Sequence, residues 1–252
     1  MNTTASPAAD STAPADARSI DSMPLALDAT SLLHLLQLAS PGLPIGGFSY
    51  SQGLESAMQS GAVSDVGSAR RWLTEILHLV MARFEAPLLW RLICAWSVAD
   101  AEAVMHWNDL LLCGRDTAEF RAETVQMGFS LGRLLIALEV VSPANQAILD
   151  SMPELALATS YACACVTLKV PPDAALLGML FAWAENQVLV CVKSVPLGQV
   201  AGQRMLLSLR PELEVAARSS MALSDDDLCN WTPGLSLLSM QHEVQYSRLY
   251  RS

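Results

Sequence analysis

The chain has 252 residues and a formal net charge of −10, from 25 acidic against 15 basic side chains. So acidic a chain lacks the basic footprint that replaces phosphate counterions, which excludes nucleic-acid binding, and the same sign argues against an anionic membrane surface. Hydrophobic residues make up 52% and charged residues only 16%, against about 25% charged in an ordinary globular domain, so either the core is large or a partner covers apolar surface.

Residues 1–28 are rich in Ala, Ser, Thr, Pro and Asp. They bury too little to offset ordering entropy and are expected to form a disordered tail. They hold no apolar stretch of a secretory signal. The six cysteines are Cys94, Cys113, Cys163, Cys165, Cys191 and Cys229, mostly in apolar helix-like stretches that suit buried free thiols. Together these features predict a reducing cytoplasm rather than a disulfide framework.

From Ser31 the pattern is helical, with Leu32, Leu35, Leu36 and Leu38 opening a short helix that ends before Pro41. A Pro/Gly-rich loop, 40–48, follows, and a helix restarts over 54–60. A longer helix is predicted over 65–84, with Trp72, Ile76, Leu79 and Val80 on one face. Pro87 then permits a new first turn, continuing to Ala99. Further helices are predicted over 101–113, ended by Gly114, and over 116–141. The latter carries the clearest stripe, Phe120, Thr124, Met127, Leu131, Leu134, Leu135 and Leu138, and is closed by Pro143. Helices over 154–169, 174–192 and 203–221 follow, the last interrupted or restarted at Pro211. A loop covers 195–198, and Ser224 to Asp227 resembles a helix N-cap. The uncharged run 29–54 is broken by prolines and glycines, and the other apolar runs are read as shorter than the roughly 18 residues of a membrane span. No alternating pattern argues for strands. The expectation is a single compact all-α domain over 29–252, of roughly nine or ten helices.

No catalytic set emerges. His34, His78, His106 and His242 include no pair at the i, i+4 spacing of a helical zinc site, although His242 beside Glu243 leaves a weak metal site open. Cys163 and Cys165 are two apart, and on a helix they face different ways. Gly42, Gly46 and Gly47 lack the Lys that a phosphate loop needs; they suit a tight connection with φ > 0. Ser49 and Ser51 sit in no nucleophile-elbow pattern, and Asp226 and Asp227 read as solvated. No cofactor and no metal site are expected. The end of the chain differs. Gln245-Tyr246-Ser247-Arg248-Leu249-Tyr250-Arg251 gathers the residue types that dominate interface hot spots and predicts a docking peptide.

Four segments carry a resemblance. They are Pro44-Ile-Gly46-Gly47-Phe48-Ser-Tyr-Ser51-Gln-Gly53-Leu54-Glu55, Arg121-Ala-Glu123-Thr124-Val-Gln-Met-Gly128, Lys193-Ser-Val-Pro196-Leu-Gly198-Gln199 and His242-Glu243-Val-Gln245-Tyr246-Ser247-Arg248-Leu249. In that order the chain resembles the UreF family of urease accessory proteins, collinearly from about Ser31 to Ser252. The resemblance implies an all-α homodimer without catalytic activity. It implies binding to the scaffold protein UreD (also called UreH), recruitment and control of the GTPase UreG, and support of nickel delivery to apo-urease. A nickel tunnel is also part of what it implies. By the same resemblance Phe48 and Arg248 match positions of complex formation and GTPase recruitment, Tyr246 and Ser247 match the tail motif, and Lys193 matches a position of GTPase control. Pro44, Gly46, Gly53, Glu55, Arg121 and Glu123 complete the motifs, with Glu55 and Arg121 either binding or pairing in the core. Arg248 offers a bidentate fork to a carboxylate; docking ranks above an arginine finger, because a terminal tail is seldom held rigidly. Two other readings stay open: a small-molecule enzyme with a helical pocket, and a nickel carrier using His242 or Cys163.

Overall fold

The structure, a computed structural model, describes Met1, residues 27–195 and residues 197–252. The expectation of a disordered tail therefore lies outside the described residues over 2–26, as does Pro196 of the 195–198 loop. Among the described residues there are ten helical elements and no strand. In chain order they are α1 (Ala29–Ala39), α2 (Leu54–Gln59), α3 in three continuous runs (Val66–Ile76, Leu77–Glu85 and Ala86–Ser97), α4 (Ala101–Cys113), α5 (Ala118–Ala137), α6 (Pro143–Ser151), α7 (Leu157–Thr167), α8 (Pro172–Ser194), α9 (Gln199–Ala222) and α10 (Pro233–Glu243). The predicted all-α class holds.

Pro87 does not start a new helix. The middle run of α3 is a π-helix, whose i→i+5 bonds form a wider turn. A proline removes one donor, and both carbonyls that lose it are satisfied from elsewhere. Ser220 Oγ donates to the Ala82 carbonyl at 3.3 Å, and the Cys229 N–H donates to the Arg83 carbonyl at 3.1 Å. The same wide turn breaks the predicted stripe: Val80 is buried but Leu79 points outward, 52% exposed. Helix α9 also runs through its proline, Pro211, because the carbonyl that it frees belongs to exposed Leu207, where water serves.

Other boundaries also differ from expectation. The sequence marks Pro143 as a stop, whereas Ser142 caps and Pro143 opens α6. The helix expected from Glu154 starts at Leu157, and 224–227 forms one 3₁₀ turn instead of a helix start. Helix α8 is 23 residues long with a mean hydropathy of 1.6 over its most apolar window, so by length and composition it could cross a membrane, contrary to the expectation that no run would. In the fold it packs against α1, α2, α9 and the last run of α3. Of the cysteines, Cys163, Cys165 and Cys191 are buried free thiols, but Cys94 and Cys113 are exposed.

The core centres on α7, whose small side chains admit neighbours on every side. Residues Ala158 to Cys165 are all buried, between α3 and α5. The helix has no cap of its own; other helices supply one. Asn108 Oδ1 accepts from the Ala156 N–H and Thr159 Oγ1, and Thr124 Oγ1 accepts from the Leu157 N–H. A Cβ on Gly128 of α5 would stand 2.1 Å from the Leu155 carbonyl oxygen and 2.6 Å from the Ala156 carbonyl carbon. Backbone cannot swing aside, so overpacking outweighs the better helix propensity of alanine. Gly128→Ala is expected to lose about 2 kcal/mol in urea unfolding; an unchanged midpoint would refute so close an approach of α5 and α7.

Candidate functional site

Two distant segments meet at one end of the bundle. The first is the loop before α2. Gly46 and Gly53 both have φ +79°, a left-handed backbone that side chains other than glycine resist. A Cβ on Gly53 would also press on Leu235 of α10 at 3.0 Å. Between these glycines the 3₁₀ turn Gly47–Ser49 pushes Phe48 into solvent, 60% exposed. Pro44 is exposed at the loop's entry. Gln52 turns inward: its amide donates to Glu123 Oε1 at 2.6 Å and accepts from Trp183 Nε1 at 2.8 Å.

The second segment is the chain after α10. It folds back as a strap over α2, α5 and the glycine loop, held by its backbone. The Leu249 and Tyr250 N–H groups donate to the two carboxylate oxygens of Glu55 at 2.8 and 3.0 Å. The Arg251 N–H donates to the Ser49 carbonyl at 2.8 Å, and the Ser51 N–H donates to the Ser252 carbonyl at 2.9 Å. Ser252 Oγ donates to Glu123 Oε2 at 2.7 Å. Tyr250 and Ser252 are buried, whereas Tyr246, Ser247 and Leu249 project outward. Arg248, with a side chain 41% exposed, reaches Glu119 at 3.0 Å. The expected loosely held tail is thus corrected: the backbone is fixed and selected side chains protrude.

His242 lies beneath the strap with no exposed surface. Its Nδ1 is 2.8 Å from Glu119 Oε2 and its Nε2 is 3.1 Å from Glu55 Oε2. Each ring nitrogen thus faces a carboxylate oxygen of a different helix. The metal site left open at His242 and Glu243 does not form. The two ring nitrogens already serve carboxylates on opposite sides, Glu243 faces solvent, and no cluster of His, Cys, Asp and Glu among the described residues could hold an ion.

Glu123 is buried, and desolvation pushes its carboxyl up to about 7 despite the donors Gln52 and Ser252 and the nearby charge of Arg115. It lines a cavity of about 190 Å³ that also reaches Phe48, Trp183, Glu185 and the Arg115–Glu85 ion pair. The other motif residues fall elsewhere. Arg121 pairs with Glu154 rather than with Glu55, which corrects a shared core role. Lys193 is exposed on the last turn of α8. Burial raises the Cys163 thiol to about 11 and the Cys191 thiol to about 12, which makes them poor ligands. Sequence reasoning missed Glu119, Gln52 and Ser252; for His242 it favoured a surface or satisfied core histidine over a ligand, and the structure shows the satisfied core form. No local signal marks them, because their partners lie 71 to 129 residues away.

A family model described as UreF matches residues 63–210. A urease accessory protein UreF of Janthinobacterium sp. (strain Marseille) is 64% identical over 226 residues, covering 90% of this chain and 100% of the relative. Proteins of the same description from Nitrosospira multiformis and Azoarcus sp. are 55% and 45% identical, each over 88% of this chain and 98% and 95% of the relative. Matches of this extent place the chain in the UreF family of urease accessory proteins.

Proposed function

We propose that the chain is a docking scaffold of urease maturation that acts by binding rather than catalysis. In this reading it joins UreD/UreH, recruits and modulates the GTPase UreG, and supports nickel insertion into apo-urease, as a homodimer in the cytoplasm. Residues 29–252 form the working domain, and residues 1–28 are a dispensable tail. One observation carries the reading: the glycine loop and the strap are tied together, so Phe48, Tyr246, Arg248 and Leu249 protrude from a fixed backbone. Exposed aromatic and arginine side chains on a preorganised surface are what an interface core requires. Lys193 and Ser247 lie at the exposed margins of the same reading. The nickel-carrier reading loses support, since His242 has both nitrogens engaged and Cys163 is a buried thiol.

The test is urease activity in nickel-supplied cells carrying the other urease genes, with this chain intact, absent, or cut after Gln245. Activity should need the chain and its last residues; indifference to the chain would overturn the scaffold role. Arg248→Ala sharpens the test. Its pair with Glu119 is partly exposed, so its loss should cost less than about 1 kcal/mol of stability. Capture of the GTPase should fall by about thirty-fold, as for a hot-spot arginine. Unchanged capture would remove Arg248 from the interface.

A further inference from the structure

Among the described residues the His242 ring is the one group in contact with both Glu55 and Glu119, two of the three carboxylates that hold the strap. Glu55 receives the backbone of Leu249 and Tyr250 on one side of the ring, and Glu119 receives the Arg248 guanidinium on the other. Glu55 stands in the first turn of α2, Glu119 in the first turn of α5, and His242 in the last turn of α10. Without a cation between them, the buried carboxylate of Glu55 and the half-buried one of Glu119 would repel each other and turn away. Where they point decides where the strap lies.

We propose that His242 is a positioning residue: a buried imidazolium that staples Glu55 to Glu119 and thereby fixes the docking strap, although its own side chain has no exposed surface to touch a partner. The inference rests on the docking reading for its consequence, but the strap's order can be measured without any partner. In His242→Gln one amide donor replaces two ring donors, so one carboxylate faces an acceptor. In the double variant His242→Gln/Glu119→Gln the chain of bonds closes again. The amide introduced at position 119 donates to the one at position 242, which in turn donates to Glu55. The amide oxygen at position 119 still accepts from Arg248.

Hydrogen exchange on the full chain decides. In His242→Gln the Leu249, Tyr250 and Arg251 amides should exchange at least tenfold faster, while amides of α3 and α7 keep their wild-type rates. The double variant should recover most of the lost protection. In the wild type, nitrogen NMR of the His242 ring at neutral pH should show both nitrogens protonated. Unchanged strap exchange, acceleration spread equally over α3 and α7, no recovery in the double variant, or a neutral ring would each overturn the proposal. If His242→Gln fails to fold, folding of the double variant is the same rescue, and failure of both marks a packing role instead. The docking reading fails separately. A chain cut after Gln245 that still captures UreD/UreH and UreG would sink that reading and leave the exchange result standing.

Discussion

Glu55→Ala is expected to lower stability by about 3–5 kcal/mol, the range for removing one partner of a buried ion pair, and to abolish urease activation. Glu55 is only 8% exposed and accepts from His242 Nε2, the Leu249 N–H and the Tyr250 N–H. Its place in the first turn of α2 also favours a negative charge against the helix dipole. Once the carboxylate is gone, the strap lifts and water recovers the two N–H groups. His242 has no such escape: it remains on α10 with a donor aimed at a void. Glu55→Gln should fall between, since one acceptor oxygen remains. Urea unfolding measures the loss, and a change below about 1 kcal/mol would mean that the bonds drawn to Glu55 are not made in solution.

Much of the fold is legible because helix signals are local. Capping residues, prolines and the stripe on α5 each declare themselves within a few positions, so the all-α class and most helices follow from the sequence. The departures share one cause. Pro87 and Pro211 carry the local mark of a break, but whether a freed carbonyl breaks a helix depends on what comes to meet it. For Pro87 the answer lies at Ser220 and Cys229, more than a hundred residues away. A 3.6-residue period puts Leu79 inside, but the turn there is wider and carries it outward.

The site is half legible for a related reason. The loop glycines and the Tyr/Arg-rich end announce themselves by residue type, and the motif order points to the family. Nothing local says that Glu55 is reserved for the backbone of Leu249 and Tyr250, 194 and 195 residues later. A histidine beside a glutamate suggests a ligand pair. In the helix their side chains part, Glu243 to solvent and His242 to carboxylates of two other helices. A docking surface is a tertiary object; the sequence supplies its protruding residues and hides the ones that aim them.

The pH dependence of stability should carry the signature of Glu123. Burial raises its carboxyl from the ordinary 4.5 to about 7, and the bonds from Gln52 and Ser252 and the charge of Arg115 only partly offset this. The folded protein therefore keeps a proton that the unfolded chain releases above pH 4.5. Stability must fall as pH rises from about 4.5 to about 7 and then level off, because the native state binds more protons throughout that window. The drop from this one group is about 3 kcal/mol. Glu123→Gln cannot ionise, so its unfolding free energy should gain on the wild type by about that amount between about pH 4.5 and about pH 8. Parallel curves would show that the carboxyl is solvated rather than buried. The site of this proton matters, because Glu123 takes Ser252 Oγ on one oxygen and Gln52 on the other. A single carboxylate thus joins the end of the strap to the glycine loop. At low pH its proton occupies one of those acceptors, so protection of the Ser252 end of the strap should weaken in the same window in which global stability rises.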